Sequence, residues 1–95
     1  MFEIVIVPSV QAVIDELEKR DRPRHRKVLK CFARLAEDPR YQGLHSHPFT
    51  ALNDQFGQVI WESYVENQTP SAWRAWWFYG LAEGSITVVL LGPHP

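Results

Sequence analysis

The stretch GLHSHPF, residues 43 to 49, sets His45 and His47 one residue apart, and the chain closes on LLGPHP with a further histidine, His94. An unperturbed imidazole titrates near neutral pH, so two such rings across a phosphodiester can act as base and acid. Residues two apart on a strand share a face, so His45 and His47 point the same way if a strand begins there. With His94 they could also form a three-histidine site of the zinc type. No cysteine or carboxylate completes a recognisable ligand spacing around HxH, so no metal is expected. A third reading is structural, with at least one of the pair closing a strand end by hydrogen bonding.

Arg74 is the other residue whose surroundings suggest chemistry. In WRAWWFYG it shares a strand face with Trp76 and Phe78, while Trp73, Ala75, Trp77 and Tyr79 share the opposite one. A cation in an aromatic strand is costly to bury without a partner. A salt bridge to Glu62 or a cation–π stack on a tryptophan would supply one, and a phosphate would supply another. Other chemistries lack their residues: there is no glycine-rich phosphate loop, dinucleotide fingerprint or nucleophile elbow.

The elements that must position these groups follow from periodicity. FEIVIV, 2 to 7, is rich in β-branched residues and is stopped by Pro8, which predicts a strand. Ser9 is the expected cap of a helix reaching Arg20, with Val10, Val13, Ile14 and Leu17 on one face. Asp21 and Pro23 open a second helix with Val28, Leu29, Phe32, Leu35 and Ala36 as its apolar face, and Asp38-Pro39 ends it. The short connection dictates an antiparallel helical hairpin, with Lys27, Lys30 and Arg34 stacked on the solvent side. Beyond RYQGL, four strands are expected in HSHPFTAL, QVIWESYVE, WRAWWFYG and ITVVLLG, separated by turns. In the second of these, Ile60, Glu62, Tyr64 and Glu66 share a face. The result is an α+β fold in which helices cover one face of a sheet.

The 95 residues, 45% hydrophobic, make a single domain spanning 1–95. The one cysteine, Cys31, cannot form an internal disulfide and falls among Leu29, Phe32 and Leu35, which predicts a buried thiol and fits a reducing compartment. No basic leader precedes the first strand, and no run approaches the roughly 18 apolar residues a membrane span needs. A soluble, cytoplasmic protein with no membrane partner is expected. The formal net charge of -1 hides an asymmetry, because KRDRPRHRKVLK, 19 to 30, holds seven of the ten Lys and Arg residues. From residue 50 onward Asp54, Glu62, Glu66 and Glu83 face Arg74 alone. Such a basic cluster is either a footprint for phosphate or a solvated hairpin tip.

In its order and in three carriers, the chain resembles the RelE/ParE superfamily of bacterial toxins. The carriers are DPRYQGLHSH after the second helix, VIWESYVENQTPSAWRAWWFYG over the middle strands, and ITVVLLGPHP at the end. The resemblance implies a β-α-α-β-β-β-β fold: an N-terminal strand, an antiparallel helical hairpin and a mostly antiparallel twisted sheet. It implies the toxin of a toxin–antitoxin system, a RelE-like mRNA interferase that enters the ribosome and cuts mRNA. The RNA 2′-hydroxyl would be the nucleophile, and neither metal nor cofactor would be needed. By position, Arg74 would hold the phosphate, and His94 with His47 or His45 would share the acid-base work. Lys19, Arg20, Arg22, Arg24, Arg26, Lys27 and Lys30 would contact ribosomal RNA. A cognate antitoxin is the implied partner, its contact with the tryptophans and the acidic sheet supplied by basic and aliphatic residues. ParE-like members instead inhibit DNA gyrase, and an inactive binding module is a further alternative. Three departures bear on activity: a pI near 6.4, Trp61, Glu62 and Ser63 where many members carry arginine, and the absence of a tyrosine or basic residue after His94.

Overall fold

The computed structural model describes residues 1–94. A first strand β1 (Glu3–Ile6) leads into helices α1 (Pro8–Arg20) and α2 (Arg22–Glu37). A 3-10 turn (Gln42–Leu44) then precedes β2 (His47–Pro48), a second such turn (Thr50–Leu52) and a short helix α3 (Asn53–Phe56). Three strands follow, β3 (Trp61–Tyr64), β4 (Trp73–Tyr79) and β5 (Ser85–Pro93). The sheet order is β1-β5-β4-β3-β2, with β1 parallel to β5 and every other pair antiparallel. This is the expected α+β fold, an N-terminal strand, an antiparallel helical hairpin and a mostly antiparallel sheet, with the short α3 added between β2 and β3. Among the described residues no helix is long and apolar enough to cross a membrane.

The helical hairpin lies on one face of the sheet. Val10, Ile14 and Leu17 of α1 and Val28, Phe32 and Leu35 of α2 bury against Ala75, Trp77, Ile86 and Val88. Strand alternation in β4 is as expected, because Trp76 and Phe78 go to the opposite face and pack with Ile60 and Val89. That second face has its own cover, which explains the first difference from the sequence reading. HSHPFTAL forms only a two-residue strand, since Pro48 has no N–H for the ladder. Phe49, Leu52 and Phe56 then recur at i, i+3 and i+7 and lay a helical turn over Trp76 and Phe78. The Asn53 side chain accepts from the Ile60 N–H at 3.0 Å, and Gly57 closes α3 in the left-handed region.

Smaller differences are local. The cap at Ser9 does not form, because Pro8 already occupies the first helical position after Val7. Asp21 does cap α2, accepting from the Arg24 N–H at 3.2 Å. Leu29, placed on the apolar face from sequence, is 49% exposed, since it lies one residue past the buried Val28 stripe. Glu66 does not share a face with Glu62. The Val65 and Glu66 N–H groups both donate to the Trp73 carbonyl, so two residues oppose one and the alternation breaks there. Glu66 thereby turns toward α2.

Trp77 is fully buried at the centre of this packing and stacks against Trp61 at 5.8 Å. Trp77→Ala is expected to cost about 3–5 kcal/mol through cavity formation, read as a lowered urea midpoint with the slope unchanged.

Candidate functional site

HSH is held by its middle residue. The Ser46 hydroxyl donates to the Pro39 carbonyl at 2.7 Å and lies 2.6 Å from the Ser63 hydroxyl. Ser63 in turn accepts from Trp77 Nε1 at 2.8 Å. Each hydroxyl carries one hydrogen, so the direction is fixed: Trp77 donates to Ser63, Ser63 to Ser46, and Ser46 to Pro39. With Ser46 drawn inward, its two neighbours turn outward. His45 takes the left-handed conformation, φ 50°, that ends the Gln42–Leu44 turn. Its ring lies 4.7 Å from that of Tyr64, and the His47 ring meets the same tyrosine edge-on at 6.4 Å.

The centre of the site is Glu62, which is only 2% exposed. His47 Nε2 lies 2.9 Å from its Oε2, His94 Nε2 3.6 Å from its Oε1, and Arg74 Nε 4.0 Å from its Oε2. Sheet register makes this convergence: His47 opposes Glu62, Glu62 opposes Trp76, and Tyr64 opposes Arg74. His94 is brought in by its N–H, which donates to the Ala72 carbonyl at 2.9 Å just before β4. Arg74 sits with its guanidinium carbon 3.6 Å over the Tyr64 ring and donates from Nη1 to the Glu66 and Trp73 carbonyls. Both sequence readings of its partner are thus partly met, with tyrosine in place of tryptophan and the carboxylate at long range. Glu62 Oε1 and Arg74 Nε are buried without a hydrogen-bond partner among the described residues.

The hydrogen bonds of His47 carry further information. Nδ1 lies 2.7 Å from the His45 carbonyl, and Nε2 faces the Glu62 carboxylate. Both partners are acceptors, so both contacts are hydrogen bonds only when each ring nitrogen bears hydrogen or the carboxyl does. The two imidazoles His47 and His94 are half-exposed on one buried carboxylate. That arrangement can move protons at a surface-accessible group while the carboxylate fixes ring orientation. No group of three or more His, Cys, Asp or Glu among the described residues is placed to hold a metal ion.

The structure thus gathers Arg74, His94, His47 and His45 into one place, whereas the basic cluster is divided. Arg20 pairs with Glu16, and Arg24 with Asp21. Arg24 and Lys27 also converge on Glu66 at 3.3 and 3.0 Å, leaving Lys19, Arg22, Arg26 and Lys30 exposed. Lys27, Lys30 and Arg34 do not simply face solvent, because they line a cleft between α2 and β3. Sequence reasoning weighed Glu62 only as a partner for Arg74 and missed Tyr64 and Ser46. A carboxylate at an inward-alternating strand position, and a small hydroxyl between two histidines, were the available signals.

Over 65 residues the chain is 32% identical to the Methanocaldococcus jannaschii protein named "Putative toxin RelE4". The chain is similar to a RelE-type toxin. The alignment takes in 68% of this chain and 66% of that protein, so just under two thirds of the relative's length is spanned. No family model matches the chain, and no solved structure matches it significantly. The RelE-like resemblance and the sheet topology agree in class.

Glu66 is the charged hub between helix and sheet. Burial pushes its carboxyl up, but the Lys27 hydrogen bond, the Trp73 N–H and the charges of Arg24 and Lys27 outweigh that and hold it below the ordinary 4.5. A depressed folded value means its stabilisation is present above the unfolded value and is lost as pH falls below 4.5. Glu66→Gln is expected to lower stability at neutral pH by about 1 kcal/mol, since Lys27 is half-exposed. Urea melts between about pH 5 and pH 3 should show a shallower acid loss in the variant than in the parent.

Proposed function

We propose that the chain is the toxin of a toxin–antitoxin pair and a metal-independent endoribonuclease that cuts mRNA on the ribosome. The observation that carries this reading is the cluster on Glu62: two half-exposed imidazoles and a guanidinium around one buried carboxylate. Phosphodiester cleavage by the RNA's own 2′-hydroxyl needs one group of each kind. The bond from the 2′-oxygen to phosphorus forms as the bond to the 5′-oxygen breaks, leaving a 2′,3′-cyclic phosphate and a free 5′-hydroxyl. One imidazole takes the 2′-hydroxyl proton and the other delivers a proton to the departing 5′-oxygen.

His47 and His94 share the acid and base roles, both within reach of the Glu62 carboxylate, at 2.9 and 3.6 Å. Glu62 is a positioning residue that aligns both rings, much as a buried acid orients the histidine of a hydrolase triad. Arg74 supplies the charge that meets the phosphate, its guanidinium fixed by the Glu66 and Trp73 carbonyls over the Tyr64 ring. His45, stacked on Tyr64, supports the loop. The similarity to a protein named as a RelE toxin supports the toxin assignment and, with it, a cognate antitoxin as partner. The cytoplasm is the compartment this reading requires.

Primer extension on an mRNA incubated with ribosomes and purified protein tests the proposal. Arg74→Ala is expected to slow cleavage by about 10²–10³-fold, and His47→Gln and His94→Gln each by about 10²–10⁴-fold. Cleavage by folded Arg74→Ala at the parental rate would remove the phosphate clamp. Absence of cuts from folded parent protein with active ribosomes would remove the nuclease.

A further inference from the structure

Tyr64 borders a second feature besides the Glu62 cluster. A cleft of about 470 Å³ opens between α2, the Gln42–Leu44 turn and the end of β3, with Lys27, Lys30, Arg34, Tyr41, Tyr64 and Glu66 in its wall. Its three cations fall on one side of α2 because residues three, four and seven apart return to the same face. They are not equivalent. Glu66 compensates Lys27 at 3.0 Å, whereas Lys30 and Arg34 have no acidic partner within ion-pair reach among the described residues. The Cys31 thiol in the same wall adds no negative charge, since burial pushes it up to about 12.

Arg34 is held in place without a carboxylate. Its guanidinium carbon lies 4.5 Å over the Tyr41 ring. That ring rests against Gly43, where a Cβ would come within 2.8 Å of Tyr41 Cε2. A side chain at 43 would push the ring aside, and the ring in turn sets the guanidinium. The cleft is a built concavity with two uncompensated cations, one of them oriented by an aromatic ring.

The geometry points to a phosphate subsite in which Lys30 and Arg34 hold a backbone phosphate of single-stranded RNA whose neighbouring phosphodiester lies at Arg74. This rests on the nuclease reading above. Continuity favours a polynucleotide over an acidic peptide: Arg74 donates to the Glu66 carbonyl at 2.6 Å, and Glu66 lines the cleft. A strand bearing one charge per residue presents its phosphates in series, and contacts to phosphate form whatever the base sequence.

The test is fluorescence anisotropy with a labelled ten-nucleotide 2′-O-methyl RNA, which has no 2′-hydroxyl to attack and is not cut. The parent is compared with K30A/R34A and with R40A, an exposed cation outside the cleft, each variant checked for folding by circular dichroism. K30A/R34A is expected to weaken binding at least about tenfold and to lower the slope of log affinity on log salt by about 0.7, as expected for one lost phosphate contact on a single strand. R40A should change both much less. Gly43→Ala, which alters no charge, should weaken binding several-fold by displacing Tyr41. Equal losses in K30A/R34A and R40A, or none in K30A/R34A, would overturn the subsite. So would a polyglutamate peptide that binds through Lys30 and Arg34 while the RNA does not, which marks a protein-docking surface. Because the probe is never cut, cleft-dependent binding without ribosome-dependent cleavage removes the nuclease and keeps the subsite. Cleavage with cleft-independent binding does the reverse.

Discussion

A carboxylate removed from water must be compensated, and Glu62 imposes that constraint on three separate parts of the chain. Desolvating an ion costs several kcal/mol after relaxation, so an isolated Glu62 on an aromatic sheet would destabilise the fold. The compensation comes from His47 on β2, Arg74 on β4 and His94 beyond β5. None of these is a sequence neighbour of another. Each sits where strand register or a single backbone hydrogen bond delivers it. The sheet therefore acts as the ruler that sets the distances among the ionisable groups.

The other face obeys a different logic. There the helices bury aliphatic stripes against Trp77 and its neighbours, and the serine relay carries hydroxyl groups into that packing. The relay satisfies an indole N–H that would otherwise be costly to bury. It also ties the end of α2, through Pro39, to the loop that carries His45 and His47. Packing on one face is thus mechanically connected to ionisable groups on the other. Glu66 makes a second connection, since its side chain binds α2 while its carbonyl accepts from Arg74.

Much of this was legible from local pattern. The helical stripes around Ile14 and Leu35 and the alternation of Trp76 against Trp77 need only the periods 3.6 and 2, and both faces appear as read. What escaped depends on long-range or non-periodic effects. Pro48 cut β2 short, and Phe49, Leu52 and Phe56 used a helical spacing that a strand-like composition concealed. The doubled pairing at the Trp73 carbonyl reversed Glu66, which no one-strand alternation can show. The four site residues named from sequence do come together, but the residue that assembles them, Glu62, was visible only as one acid among several. Its importance is a property of three strands side by side.

The pairing of β1 with β5 has a consequence for how the chain becomes a folded object. Glu3 lies opposite Ser85, so nearly the whole described chain must be in place before the first strand finds its partner. Contacts of such high sequence separation are slow to form, because loop closure precedes any gain from pairing. Until β5 is inserted between β1 and β4, the helical hairpin can meet Ala75 and Trp77 of β4 but not Ile86 and Val88. The Glu62 cluster is likewise incomplete, with His47 and Arg74 set by the β2–β3–β4 register and His94 still missing. A nascent fragment lacking β5 therefore presents half-covered helices and a buried acid short of one imidazole.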